Sequence, residues 1–319
     1  MLVQRLASQL LAGPPARDPV AVCERLLAVQ GQDPRAFRLA IRARTEGLTA
    51  AAVDRALTED RSLVVTWLNR GTLHLVRSED LHWLHALTAP QHLNAVLRRL
   101  AQEGVEDPER GVRAIERTLA SDGPLTRDQL RDRVGATGLY HLLFLASLRG
   151  LLVRGPVIGG QHAFVLVRDW LGDPPPAPGR DVALAELARR YLAGHGPADE
   201  RDLAKWAGVT LRDARAGMAA VAGEAAEPEA APLPPPRLLG GFEPVLLGWA
   251  SREDIVGPHR DKITMEGIFR SFAMVGGRAV ATWRLSGGEV AIEPLEAIAP
   301  GDAAALEADG DAVRRFLGV

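Results

Sequence analysis

Two carboxamides, Gln30 and Gln32, flank Gly31 in the stretch LLAVQGQDPRAF, residues 26–37. A carboxamide is far too weak a base to take a proton from water, since general base work favours groups whose pKa lies near the working pH. Its carbonyl oxygen can still accept a hydrogen bond from a water, and its dipole favours a developing positive charge. The pair therefore suits a reaction that needs a held water and a stabilised cation, with a leaving group that departs without help. Residues two apart on a continuous helix point about 200° apart and cannot converge. Gly31 reads as a helix C-terminal cap, Asp33 as the N-cap and Pro34 as the first residue of the next helix. Both amides are thus expected in a tight, solvent-facing turn between two helices, where substitutions alter stability by no more than about 0.5 kcal/mol. The plain alternative is a pair of solvated surface groups.

Other polar residues have structural readings. His82 and His85 lie three apart on a helical stretch with no carboxylate or cysteine cluster to complete a metal geometry. Ser78, Glu79 and Asp80 read as a helix start, not as a triad. GGFEP and MVGGR lack the strand-to-helix setting of a nucleotide-binding loop. The single cysteine, Cys23, sits in an apolar helical register and reads as a small hydrophobe, which points to a cytoplasmic protein.

The elements that must position the amides emerge from length, composition and repeats. The 319 residues are 47% hydrophobic and 24% charged, enough for two or three ordinary cores. No apolar run approaches the roughly 20 residues that span a bilayer, and no export signal is visible. Lys205 and Lys262 are the only lysines, so the basic residues are otherwise arginine, and the net charge of −2 excludes a protein that coats DNA through bulk positive charge. Any nucleic-acid site must be local. GPLTRDQLRDRVG (123–135) aligns without gaps to GPADERDLAKWAG (196–208). Each copy predicts a Gly-Pro turn, a capping Thr126 or Asp199, a short helix with Leu130 or Leu203 facing inward, and a terminating glycine with positive φ. The first copy leads into the apolar helix LYHLLFLASLRG and two β-rich runs around Gly159 and Gly160, which makes a winged helix. The second leads into a helix and then EAAEPEAAPLPPPRLL, a linker or extended edge. Upstream, SLVVTWLNRGTLHLVRSED predicts a hairpin turning at Asn69, Arg70 and Gly71, with one core face and one wet face. From Leu238 onward, PVLLGWA, GIFRSFAMVGGRAVATWRL and EVAIEPL predict short strands closed by a helix. The fold class is α+β, mostly α, in four units: residues 1–92, 93–175 and 176–236 as winged-helix modules, and 237–319 as a β-rich subdomain.

The glutamine pair, the hairpin TWLNRGTLHLV, the tandem winged-helix repeats and GIFRSFAMVGGRAVATWR together resemble the winged-helix DNA glycosylase family typified by AlkZ. The likeness covers most of the chain. Its catalytic signature is Gln-x-Gln, with a sister branch carrying Gln-x-Asp, so the resemblance implies that Gln30 and Gln32 are catalytic. The middle position is usually bulky and apolar, and Gly31 departs from that pattern. The resemblance further implies hydrolysis of the N-glycosidic bond of alkylated purines, bulky adducts and interstrand crosslinks included. Damaged double-stranded DNA would be the partner of a monomer that needs no cofactor or metal, with Arg61, Arg70, Thr72 and His74 as candidate DNA contacts. A non-enzymatic winged-helix regulator is the competing class, disfavoured because no recognition helix is distinctly basic. A binder that shields lesions without cutting them is a third.

Overall fold

A computed structural model describes residues 1–224, 232–265 and 267–319. After the short helix α1 (Leu2–Ser8), the first winged helix runs through α2 (Pro19–Leu26), β1 (Val29–Gln30), α3 (Pro34–Arg42), α4 (Ala50–Thr58), β2 (Leu63–Leu68) and β3 (Thr72–Arg77). Asp18 caps α2 by accepting from the Ala21 N–H, and Asp33 caps α3 by accepting from Arg35 and Ala36. The expected cap at Gly31 is wrong. α2 stops at Leu26, with Leu27 in the left-handed region at φ 62°, because Leu27, Ala28 and Val29 are needed in the core. Gly31 has no positive φ; it eases a close approach, since a Cβ there would lie 3.2 Å from the His74 carbonyl carbon, the Leu75 nitrogen and Val65 Cγ1.

The hairpin turns at Asn69–Gly71 with Arg70 at φ 53° and Gly71 at φ 71°. Ser78–Asp80 form one 3-10 turn that opens α5 (Leu81–Thr88), followed by α6 (Leu93–Gln102). The second winged helix repeats the order with α7 (Pro108–Asp122), β4 (Leu125–Thr126), α8 (Arg127–Val134), α9 (Leu139–Leu148), β5 (Leu152–Ile158) and β6 (Gln161–Leu166), then α10 (Val167–Leu171). A third trio of helices follows, α11 (Arg180–His195), α12 (Glu200–Ala207) and α13 (Leu211–Ala220), without a strand among its described residues. Both repeat copies fold as their residues dictate: Thr126 and Asp199 each form a capping box, Gly135 and Gly208 end the helices in the left-handed region, and Leu130 and Leu203 are buried. Residues 225–231 of the expected linker lie outside the described residues.

The two hairpins join. β2 pairs with β5 through Val65 and Arg154, giving one antiparallel sheet in the order β1-β3-β2-β5-β6-β4. Corresponding strands meet at this seam, so a local two-fold relates the halves. The expectation of a wet face on the hairpin fails. All of β2 is buried, since LVVTWL is nearly continuously apolar and suits cover on both sides. Val29, Val65, Trp67 and Leu75 face the helices of the two winged helices. Val64, Leu68, Val76 and Val153 face α5, α11, α12 and α13, so the third trio closes the opposite face.

The remainder comprises β7 (Arg237–Leu239), α14 (Pro244–Leu247), α15 (Glu253–Val256), α16 (Arg260–Ile263), β8 (Thr264–Met265), β9 (Ile268–Phe269), β10 (Phe272–Val275), β11 (Arg278–Ser286), β12 (Glu289–Pro294) and α17 (Pro300–Leu317). β12-β11-β10-β7 form an antiparallel sheet with β7 at its edge, and β8 pairs only with β9. PVLLGWA is not a strand: Pro244 starts α14 at its first position, where a missing N–H costs nothing, and the segment is buried with Trp249. At the junction of these parts Arg44 and Glu243 form an ion pair at 2.6 Å, both fully buried. Arg44 also donates to the Gln9 backbone and side-chain oxygens and to the Ala40 carbonyl, while the Gln9 amide donates to Gly194.

The α2–α11 packing sets a sharp test. A Cβ at Gly194 would stand 2.3 Å from the Arg25 carbonyl oxygen, whereas at Gly301, in the first turn of α17, it would meet nothing within 4 Å. Gly194→Ala is expected to lower the unfolding free energy by about 1–3 kcal/mol, and Gly301→Ala to leave it unchanged or raise it by up to about 1 kcal/mol. Urea denaturation of both variants checks the pair.

Candidate active site

The glutamines sit at the end of a strand, which corrects the expected helix–helix turn. Gln30 pairs with His74 across β1 and β3, and Gly31 N–H donates to the Leu73 carbonyl at 2.6 Å, after which the chain bends at Gln32 into the start of α3. Gln30 Nε2 donates to Gln32 Oε1 at 2.8 Å. The two differ in exposure: Gln32 is exposed, but Gln30 is only 6% exposed and belongs to the sheet face covered by the third helical trio. The expectation of two solvent-facing amides therefore holds for Gln32 alone, because the strand pairing draws Gln30 inward.

Arg70 reaches this pair from the hairpin turn. Its Nη2 donates to Gln30 Oε1 at 3.3 Å, and its Nη1 donates to the carbonyls of Trp206 and Lys205 in the last turn of α12. Burial, with the charge of Arg252 added, lowers its pKa to about 10, which leaves it cationic at neutral pH. Gly208 makes the approach possible, since a Cβ there would lie 2.8 Å from the Arg70 nitrogen. His74 lies beside Gln30 on the same face, with Nδ1 2.9 Å from the Thr72 carbonyl, a contact that assigns the ring proton to Nδ1. Burial and then the Arg70 charge push His74 down to about 3, so it is neutral. Thr72 serves the turn by donating its hydroxyl to the Asn69 carbonyl at 3.2 Å.

Arg61 is not part of this cluster. It precedes the far end of the hairpin, where Leu63 pairs with Arg77, and its guanidinium lies 4.0 Å above the Trp170 ring. Sequence reasoning missed Arg252, which stacks 5.0 Å over Phe269 and whose charge acts on Arg70. It placed Asn69 in the hairpin turn without its full burial, which leaves amide atoms that have no partner among the described residues. No local pattern announces Arg252 or that burial. Neither glutamine hydrogen-bonds a carboxylate among the described residues; the cation that touches the pair is Arg70, and the nearest carboxylate in sequence, Asp33, is engaged in capping α3. No described helix is long and apolar enough to cross a membrane.

The chain matches the family model of the AlkZ-like DNA glycosylases over residues 23–316. It is 29% identical over 346 aligned positions to the interstrand DNA cross-link repair glycosylase of Streptomyces sahachiroi, an alignment covering 96% of this chain and 92% of that protein. The solved structure of Streptomyces sahachiroi DNA glycosylase AlkZ superposes with a TM-score of 0.78 at 25% identity, covering 100% of this chain and 96% of the other.

The neutral imidazole of His74 has a measurable consequence, shared with His162 and His195, which burial likewise lowers to about 3. The folded values lie below the unfolded value of about 6.5, so the unfolded chain binds more protons between the two. Their stabilisation is complete above pH 6.5 and is lost as the pH falls from there toward 3. Urea midpoints should drop between pH 7.5 and pH 5, and His74→Gln should remove about 1–2 kcal/mol of that pH-dependent loss. A midpoint independent of pH over this range would overturn the neutral assignment.

Proposed function

The chain belongs to the AlkZ-like DNA glycosylase family, and on that premise we propose that Gln30 and Gln32 are the catalytic pair of a monofunctional enzyme hydrolysing the N-glycosidic bond of cationic alkylated purines. The observation that supports this most is the amide chain itself. Two carboxamides are hydrogen-bonded to each other, and Gln30 also to the half-buried Arg70, with no carboxylate bonded to either of them among the described residues. Such a site can hold a water by its carbonyl oxygen and direct carbonyl dipoles at a sugar, and it has little capacity to remove or deliver a proton.

That chemistry suits bases which need no protonation. An N7-alkylguanine or N3-alkyladenine carries a positive charge, so when the C1′–N bond breaks its electron pair neutralises the base. The sugar becomes oxocarbenium-like, the held water adds its oxygen to C1′, and the surplus proton passes to solvent. Bulky N7 adducts fall within the same chemistry. Interstrand crosslinks are included in the proposed range on the strength of the relative named for cross-link repair. Damaged duplex DNA is the proposed partner, reached by a protein of near-neutral net charge.

Duplexes carrying a single 7-methylguanine, a single uracil or an N7-linked bulky adduct, heated in alkali after incubation, test the proposal through strand scission at the abasic product. Scission is expected at 7-methylguanine and at the bulky adduct and not at uracil, whose neutral base needs more activation than two amides provide. Gln30→Ala and Gln32→Ala should each slow excision roughly tenfold or more, the rate equivalent of about 1.4 kcal/mol. Because Gln30 is buried and hydrogen-bonded, its alanine variant should also lose about 1 kcal/mol of stability, while Gln32→Ala stays within about 0.5 kcal/mol. Uracil release at a rate comparable to 7-methylguanine would sink the mechanism.

A further inference from the structure

We infer that Arg70 is a positioning residue that fixes the direction of the amide chain, so that Gln32 presents its carbonyl oxygen as the acceptor for the attacking water. The inference rests on the catalytic reading of Gln30 and Gln32. The two ends of a carboxamide are nearly equal in size, so packing alone does not decide which way a glutamine points. Hydrogen bonding does decide it here. A guanidinium only donates, and Arg70 Nη2 lies 3.3 Å from the outer end of Gln30. That end must be the oxygen; the reversed amide would set N–H against N–H. The Gln30 nitrogen is then turned to Gln32 and must meet an acceptor, which it does at 2.8 Å. One donor-only residue thereby orders two amides in series. Among the described residues the Gln32 oxygen accepts one of the two hydrogen bonds it can take, which leaves a lone pair for a water.

Arg70 is itself held rigidly. The Lys205 and Trp206 carbonyls that it engages belong to the last turn of α12, where carbonyls lack helical partners and the helix dipole is negative. This anchor keeps a cation under the site and leaves Nη2 facing Gln30. A phosphate-binding arginine would extend to solvent; Arg70 spends both terminal nitrogens on protein oxygens. Thus its loss should impair the chemical step more than the binding of DNA.

The experiment is single-turnover excision of 7-methylguanine, with affinity for undamaged duplex measured in parallel and folding checked by thermal melting. Arg70→Met should lower the single-turnover rate roughly tenfold or more, with duplex affinity changed less than about threefold, and Arg70→Lys, still donor-only, should recover part of the rate. A second comparison does not depend on altering Arg70. Gln32→Glu keeps an acceptor toward Gln30 and toward water, and should retain roughly threefold or more of rate over Gln32→Ala. Gln30→Glu still accepts from Arg70 but cannot donate to Gln32, and should fall to the level of Gln30→Ala. The reverse ranking of the two glutamate variants, or an equal effect of both, overturns the inference, as does an Arg70→Met variant that loses affinity and rate together. Wild-type rates for both Gln30→Ala and Gln32→Ala would instead show that the catalytic reading beneath it is wrong.

Discussion

The structure turns on a cation with no exposure to water. Removing a guanidinium and a carboxylate from solvent costs several kcal/mol per ion, and only a full set of partners offsets it. Arg44 has four acceptors, Glu243, the Gln9 carbonyl, the Gln9 side-chain oxygen and the Ala40 carbonyl, while the second Glu243 oxygen has no partner among the described residues. These partners come from the turn after α1, from α3 and from the segment entering α14, and Gln9 passes the network on to Gly194 of α11. An uncompensated charge in such a place destabilises by about 3–5 kcal/mol, so the separate parts are constrained to assemble around it together. α3 runs from this junction to the glutamine motif. Asp33 caps its first turn, one residue from Gln32, while Arg44 follows its last. The candidate site is therefore fastened through one short helix to the most demanding interaction in the molecule.

What was legible in the sequence follows the range of the interactions involved. The capping boxes at Thr126 and Asp199, the glycine stops at Gly135 and Gly208, and the hairpin turning at Arg70 and Gly71 are each decided by residues within a few positions of one another. All were readable. The union of the two hairpins through Val65 and Arg154 joins positions far apart in sequence, and no local pattern encodes it. That union, with the third helical trio packed over it, buries Gln30 and withdraws the wet face expected of β3. PVLLGWA failed for a related reason, since a short apolar run does not distinguish a buried strand from a buried helix and the proline decided the matter. Gly31 reads in sequence as a helix cap, and its setting in the fold is different. Its neighbours His74, Leu75 and Val65 are remote in sequence, and only the sheet brings them within contact.

The positions of charge in the site are as informative as their number. Arg70 is kept cationic by the carbonyl end of α12 and faces an amide, and Arg252 lies near enough to lower its pKa further. A cation beside a reaction that develops positive charge on a sugar opposes it electrostatically, so proximity alone would be a liability. The liability is reduced because Gln30 stands between Arg70 and Gln32, which separates the arginine from the outermost amide. His74, neutral beneath the pair, adds bulk and a fixed hydrogen bond without a further charge.

The local two-fold at the seam also bears on how such a site can arise. It equates Val65 with Arg154, Leu75 with Phe164, Val29 with Leu125 and Gln30 with Thr126. In the second half the strand residue Thr126 is itself the cap of α8, so strand and helix abut. In the first half the cap is Asp33, and Gly31, Gln32 and Asp33 are additional. Seen as a duplication, the two halves differ at this corner by three residues: one copy retains a self-sufficient helix start, and its twin carries a short insertion that exposes an amide at the surface. A redundant scaffold could absorb that change cheaply, because the shared sheet was already secured from the other side.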